Sequence, residues 1–240
     1  QDWNQFRGPD RNGDASKQNP PLNLSVAPAL CWQVSCGAGH SSIVTKGNLI
    51  LTLEQQGNFE VLVARNFEDG KVAWQVSEKT RWDDMMSGEG PRSTPTIFGG
   101  KVFTLFSNGR LSCIELENGK VLWDIQTIEE GFDFPDWGLA GAPLIWKELV
   151  ILNLGGEDSA VQAFSSRTGE LVWASNLPSA TSATVVAVRW PACAIDWRRP
   201  DTINPRTMPG SLNRTSALAG CTFTSTHSGS HSTKSATTGW

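Results

Sequence analysis

Asn66-Phe67-Glu68-Asp69-Gly70-Lys71-Val72-Ala73-Trp74-Gln75-Val76 is one of three versions of a phrase in this chain. It returns as Glu115-Leu116-Glu117-Asn118-Gly119-Lys120-Val121-Leu122-Trp123-Asp124-Ile125 and as Ser165-Ser166-Arg167-Thr168-Gly169-Glu170-Leu171-Val172-Trp173-Ala174-Ser175. Each copy is a polar turn closing on Gly, a charged residue, two apolar residues and a Trp. The tryptophans at 74, 123 and 173 set a period of 49 and then 50 residues. A fixed period of about 40–50 residues is the mark of a repeat architecture.

The strands around the phrase are clearest between Ser93 and Ile125. Ser93–Phe98 is a strand, Gly99-Gly100 a two-residue turn, Lys101–Phe106 the next strand. Asn108-Gly109 turns the chain into Arg110–Leu116, and Asn118-Gly119 turns it into Lys120–Ile125. Asn-Gly between short β-rich runs is a hairpin signal because both residues tolerate positive φ. The same plan fits Ser42–Thr45, Asn48–Leu53, Phe59–Asn66 and Lys71–Val76 before it. After it come Ala142–Trp146, Leu149–Leu154, a Gly155-Gly156 turn, Ala160–Ser165 and Glu170–Ala174. No stretch has a useful 3.6-residue period. The fold class expected is all-β.

A four-stranded antiparallel meander with one buried face is not stable alone. Stacked at this period, such units form the blades of a β-propeller. A sandwich would not explain a Trp that recurs in register. Leu30-Cys31-Trp32-Gln33-Val34 reads as an opening strand, because Trp32-Gln33-Val34 duplicates Trp74-Gln75-Val76. The expected organisation is an extended N-terminal arm over residues 1–29, propeller blades over 30–188 and a tail over 189–240. The arm's breakers are Gly8-Pro9, Asn12-Gly13 and Pro20-Pro21, and its aromatics Trp3 and Phe6 read as anchors. The blades number about three, with Thr181–Val188 as the first strand of a partial fourth. The tail is rich in Ser, Thr and Gly and reads as disordered, or as the product of a changed reading frame near residue 180.

Composition narrows the function classes. The 240 residues carry a net charge of −4 with 18% charged and 39% apolar residues. No basic stripe points to nucleic acid, and no apolar run approaches the roughly 20 residues of a membrane span. Eleven Trp against no Tyr suggests that Trp is structural here. The five Cys contain no CxxC pair, and Cys31 and Cys36 read as small buried hydrophobes. His40 beside Ser41-Ser42 lacks an assignable acid, and His227 and His231 have metal-compatible spacing but no further ligand.

The three phrases, the opening Trp3-Asn4-Gln5-Phe6-Arg7-Gly8-Pro9 and Gly88-Glu89-Gly90-Pro91-Arg92-Ser93-Thr94-Pro95 together resemble the PQQ-like (quinoprotein-type) β-propeller family. The family includes BamB-like assembly proteins and the propellers of quinone-dependent alcohol dehydrogenases. The resemblance implies rings of seven or eight blades and an exported, periplasmic or envelope location. It also implies that Trp32, Trp74, Trp123 and Trp173 dock between neighbouring blades. The dehydrogenases of the family carry adjacent cysteines, a calcium site and an aspartate base. This sequence has no adjacent Cys pair, so no catalytic or metal residue is assigned and no cofactor is expected. Pyrroloquinoline quinone (PQQ) and calcium enter only under the alternative, a dehydrogenase part. The leading expectation is a non-catalytic binding or scaffold module, BamB-like in its role in envelope protein assembly.

The candidate binding surface lies in two 16-residue connections, Ser77–Arg92 and Gln126–Gly141, expected to emerge together around the channel. Arg81, Trp82, Asp83, Asp84, Glu89 and Arg92 lie in the first, Asp136 and Trp137 in the second. Acids beside aromatics suit a protein, carbohydrate or small-molecule ligand, or a cation. The plainer reading packs the tryptophans under their own loops and leaves the acids solvated.

Overall fold

The computed structural model describes residues 2–16, 25, 29–155 and 160–175. Among them there is no helix; three four-stranded antiparallel meanders follow one another, with one small hairpin between the first two. Blade one comprises β1 (Val44–Lys46), β2 (Leu49–Gln56), β3 (Phe59–Asn66) and β4 (Val72–Glu78). The hairpin is β5 (Asp83–Asp84) with β6 (Gly88–Glu89). Blade two comprises β7 (Thr96–Phe98), β8 (Lys101–Leu105), β9 (Arg110–Glu115) and β10 (Val121–Gln126). Blade three comprises β11 (Leu144–Trp146), β12 (Leu149–Asn153), β13 (Val161–Ser165) and β14 (Leu171–Ala174). The expected Gly155-Gly156 turn lies partly outside the described residues. The strand at Thr181–Val188, the tail over 189–240, His227 and His231 lie wholly outside them.

The two largest core clusters sit between blades, and a smaller one lies on the far face of blade three. In β8 and β9 the period of two sends alternate side chains to opposite neighbours. Val102 and Ile114 join Val44, Leu51, Leu62 and Trp74 of blade one. Phe103, Leu105, Leu111 and Cys113 join Val150, Leu152 and Phe164 of blade three. With both faces covered, the middle strands read as nearly continuous apolar runs. Burial also pushes the Cys113 thiol up to about 11, so it is an inert packing group at neutral pH.

The three phrases form an interlocking series. The Trp74 ring lies against Gly119, the Trp123 ring against Gly169 and the Trp32 ring against Gly70, each in the phrase turn of the next blade. A Cβ on any of these glycines would sit 2.7 or 2.8 Å from a ring carbon. The indole N–H of Trp74 donates to Leu116 O at 2.9 Å, that of Trp123 to Ser166 O at 3.3 Å and that of Trp32 to Phe67 O at 2.8 Å. These three acceptors occupy the same place in each turn, three residues before the Gly. Outer strands are bulged in register as well. Trp74, Trp123 and Trp173 lie opposite Ala64, Cys113 and Ala163, while Ala73, Leu122 and Val172 have no cross-strand partner. The bulge turns Trp inward after two exposed residues, and a small residue opposite makes room for the indole.

Three expectations are corrected. Residues 30–34 form no strand, since no described neighbour offers a ladder; the segment is held by Trp32 and by Gln55 N donating to Ala38 O at 2.7 Å. Cys31 and Cys36 are consequently exposed, not buried. The connection 77–92 is not a plain loop but contains the β5–β6 hairpin. In addition, β2 runs on to Gln56, where its ladder with β3 continues to Phe59, and the buried Glu54 carboxylate on this stretch accepts from Gly37 N at 2.6 Å and faces Arg65.

The arm is an integral part of the fold. Trp3 and Thr45 exchange backbone hydrogen bonds along the free edge of β1, Trp3 N to Thr45 O at 3.0 Å and Thr45 N to Trp3 O at 2.9 Å. Ile97 N donates to Asn4 O at 2.7 Å, and Asn4 Nδ2 returns a bond to Ile97 O. Arg11, 5% exposed, donates to Pro143 O, to Ala142 O at 3.4 Å and to Thr96 Oγ1 at 3.5 Å. Residues 3 to 11 thus cross the innermost edges of all three blades. Burial pulls the Arg11 guanidinium down to about 10, so it stays charged at neutral pH.

Candidate functional site

Both long connections leave from one end of the blades. Gln55 at the β2–β3 turn donates to Thr80 O at 3.1 Å, and Thr127 N donates to Gly109 O of the β8–β9 turn at 3.0 Å. The phrase turns lie at the opposite end. The arm enters from that side, where Asp2 pairs with Lys46 and accepts from Gly47 N at 3.1 Å.

The hairpin is built around Asp84. Its carboxylate accepts from Ser87 N at 2.7 Å, Met86 N at 3.0 Å, Trp82 Nε1 at 3.3 Å, Arg92 Nη2 at 2.6 Å and Ser87 Oγ. Hydrogen bonds from Ser87 and Arg92 hold the carboxyl far below the usual carboxylate range. Arg92, nearly buried, also donates to Gly88 O at 2.6 Å and Gly90 O at 3.0 Å. Asp84 and Arg92 are therefore committed to shaping the hairpin. Asp84→Asn is expected to loosen it and change the environment of Trp82, most visibly at neutral pH. The depressed pKa gives a contribution present above the unfolded value and lost as pH falls below the ordinary carboxylate range. Tryptophan fluorescence and proteolysis at residues 83–89 compare the two proteins; identical profiles would refute the role.

Trp82 joins the two connections. Its ring packs on Gly138, where a Cβ would lie 2.7 Å away, and tilts against Phe134 at 5.7 Å between centroids. Phe134 meets Phe132 edge-on at 5.3 Å. Arg81 pairs with Asp83 at 3.3 Å and Glu89 at 3.2 Å on the exposed side of the hairpin. Asp136 and Trp137 are exposed, and their side chains make no hydrogen bond or ion pair with a described residue. Arg81, Trp82, Asp83, Asp84, Glu89 and Arg92 are thus brought together, whereas Asp136 and Trp137 stand apart. Met85 and Met86 at the hairpin tip are exposed.

Sequence reading passed over a buried carboxylate at this end. Glu60 of β3 is fully buried, accepting from Ser107 N at 2.9 Å and from Ser107 Oγ. Its only sequence signal is an acid set between Phe59 and the apolar run Val61–Ala64. Burial pushes its carboxyl up, Glu78 adds to the rise and Arg92 opposes it. A raised folded-state pKa means that stability falls as pH climbs from the ordinary carboxylate range through the raised value. Glu60→Gln keeps an acceptor for Ser107 N and is expected to flatten that slope while holding stability at neutral pH. Urea denaturation across pH 4–8 checks it; an unchanged slope would contradict the assignment.

The described residues do not fit the dehydrogenase cofactor set. They contain no cluster of three or more His, Cys, Asp or Glu suited to a metal ion. Asp84, the most enclosed acid of the two connections, has its oxygens taken up by Ser87, Trp82 and Arg92.

Stacked four-stranded meanders, locked Trp to Gly and presenting their connections at one end, are consecutive blades of a quinoprotein-type β-propeller. Residues 28–133 and 58–196 match the profile of the family described as outer membrane protein assembly factor BamB, and the chain belongs to that family. BamB of Yersinia pestis is 30% identical over 128 residues, covering 52% of this chain and 28% of that protein. The quinohemoprotein alcohol dehydrogenase ADH-IIG of Pseudomonas putida is 25% identical over 158 residues, covering 62% and 21%. Among solved structures, the quinohemoprotein alcohol dehydrogenase from Comamonas testosteroni superposes with a TM-score of 0.48 at 20% identity, covering 72% of this chain and 26% of that one. The matched part thus spans under a third of each of these relatives.

Proposed function

We propose that this chain is part of an exported, non-catalytic propeller that binds other proteins of the cell envelope through the end carrying its long connections. The observation that supports this most is the division of labour at that end. Asp84 and Arg92 rigidify the hairpin, while Arg81, Asp83, Glu89, Asp136 and Trp137 remain at the surface. The arm lies along the inner blade edges and reaches the opposite end at Asp2, leaving the loop end as the presented surface. Membership of a family described by an outer-membrane assembly factor supports the same reading. A photo-crosslinker at position 137, compared with one at exposed Glu117 in a phrase turn, tests it in cells. Crosslinks from 137 alone to envelope assembly proteins are expected; equal or absent crosslinking at both would sink the reading.

A second reading makes the chain part of a quinone-dependent alcohol dehydrogenase. It rests on the number of curated relatives with that printed activity. Titration with pyrroloquinoline quinone and calcium, followed by dye-linked alcohol oxidation, separates the two; saturable binding with turnover would favour the enzyme.

A further inference from the structure

The strongest unassigned feature is a cavity of about 370 Å³ between the β8–β9 turn and the start of the second connection. Its apolar side is formed by Ile128, Phe132 and Phe134, and Phe132 and Phe134 stand edge to face. Its polar side is formed by Asn108, Gln126, Glu129 and Glu130. The side-chain amide nitrogens are engaged, Asn108 Nδ2 with Glu78 Oε1 at 2.8 Å and Gln126 Nε2 with Asn108 O. Gln126 Oε1 and the carboxylates of Glu129 and Glu130 are engaged by no described residue. Arg110, two residues along from Asn108, is taken up by Glu78 and Asp124.

A cavity with ring faces on one side and uncommitted acceptors on the other selects a ligand with an apolar or planar body and several donors. A neutral sugar would leave the charge of the two exposed carboxylates uncompensated, and an anion would be repelled. A guanidinium or ammonium on an aliphatic stem satisfies both sides: the stem and cation lie on the rings, and the donors reach the carboxylates. We infer that this cavity receives an arginine or lysine side chain of an extended basic segment in a partner protein. The inference rests on the protein-binding reading above and names the anchor it would use. The Glu129–Glu130 pair supplies charge, Phe132 and Phe134 supply the surface for the stem, and the β8–β9 turn fixes one wall. The Ser107 N–H bond to buried Glu60 holds that turn in place.

The test titrates the full chain with acetyl-Arg-Leu-Arg-amide and with the same peptide carrying citrulline, which keeps the shape and removes the charge. Saturable binding of the arginyl peptide alone is expected. The double variant Glu129→Gln/Glu130→Gln is expected to weaken it by about tenfold, two exposed ion pairs at their usual worth. Phe132→Leu is expected to weaken it a few-fold, and Glu117→Gln to leave it unchanged. Both glutamates are exposed, so the double variant should keep the parent's melting temperature. Equal binding of the citrulline peptide, no binding of either, or full affinity in the double variant would overturn the cavity's role. Envelope crosslinking from position 137 reads the other level. Crosslinks that persist in the double variant although it no longer binds the arginyl peptide sink the cavity as the anchor and spare the scaffold reading. Crosslinks absent in the parent sink the scaffold reading itself.

Discussion

Gly119→Ala is expected to destabilise the protein by about 2–5 kcal/mol, whereas Gly99→Ala costs only about 1 kcal/mol. Both residues have positive φ, 76° and 57°, so alanine strains the backbone at each. Only Gly119 carries a neighbour: its added Cβ would lie 2.7 Å from Trp74, whereas nothing lies within 4 Å at Gly99. The Trp74 ring cannot retreat, because its N–H is bonded to Leu116 O and its other side is in the core shared by blades one and two. Thermal denaturation followed by tryptophan fluorescence should separate the two variants by roughly 5–15 °C. Equal shifts would mean that the Trp-on-Gly contact contributes nothing beyond backbone strain. Gly70→Ala and Gly169→Ala should follow Gly119→Ala in direction, since Trp32 and Trp123 repeat the contact.

Arg11→Met is expected to cost about 2–4 kcal/mol, because it strips donors from the carbonyls of buried Ala142 and Pro143. Pro143 O and Ala142 O lie in blade three, Thr96 Oγ1 in blade two, and Gln5 Oε1 accepts from Arg11 Nε at 2.9 Å. One side chain therefore ties the arm to two blades and to itself. The variant should also open the arm to protease while the phrase turns stay protected. Lys46→Ala, which removes the exposed pair with Asp2, is expected to cost under about 1 kcal/mol. If Arg11→Met behaved like Lys46→Ala, the arm would be an ornament on the blades rather than their inner clasp.

Legibility followed the range of the interactions. Turns such as Asn108-Gly109 and Asn118-Gly119 declare themselves within two residues, and strand edges fell close to them. The candidate surface was half legible. A hydrophobicity pattern could place Arg81, Trp82, Asp83, Asp84, Glu89 and Arg92 in one connection, but could not sort them. Asp84 and Arg92 became architecture because four residues of β-turn geometry bring Ser87 and the backbone onto one carboxylate. Asp136 and Trp137 stay at the surface beside Gly138, on which Trp82 packs.

The sequence alone specifies the repeat, its all-β meander and the Trp that closes each copy, because turn chemistry and side-chain alternation act locally. It also held a signal left unread: a small residue at 64, 113 and 163, in step with each Trp. Which glycine Trp74 and Trp123 meet depends on the assembled blades, since the partners Gly119 and Gly169 lie 45 and 46 residues away in the next copy. Tertiary structure likewise bulged the outer strands to turn those indoles inward and drew the arm across three blade edges. Each of these outcomes depends on which backbone edge or ring face is left open after the blades stack, and no local pattern encodes that.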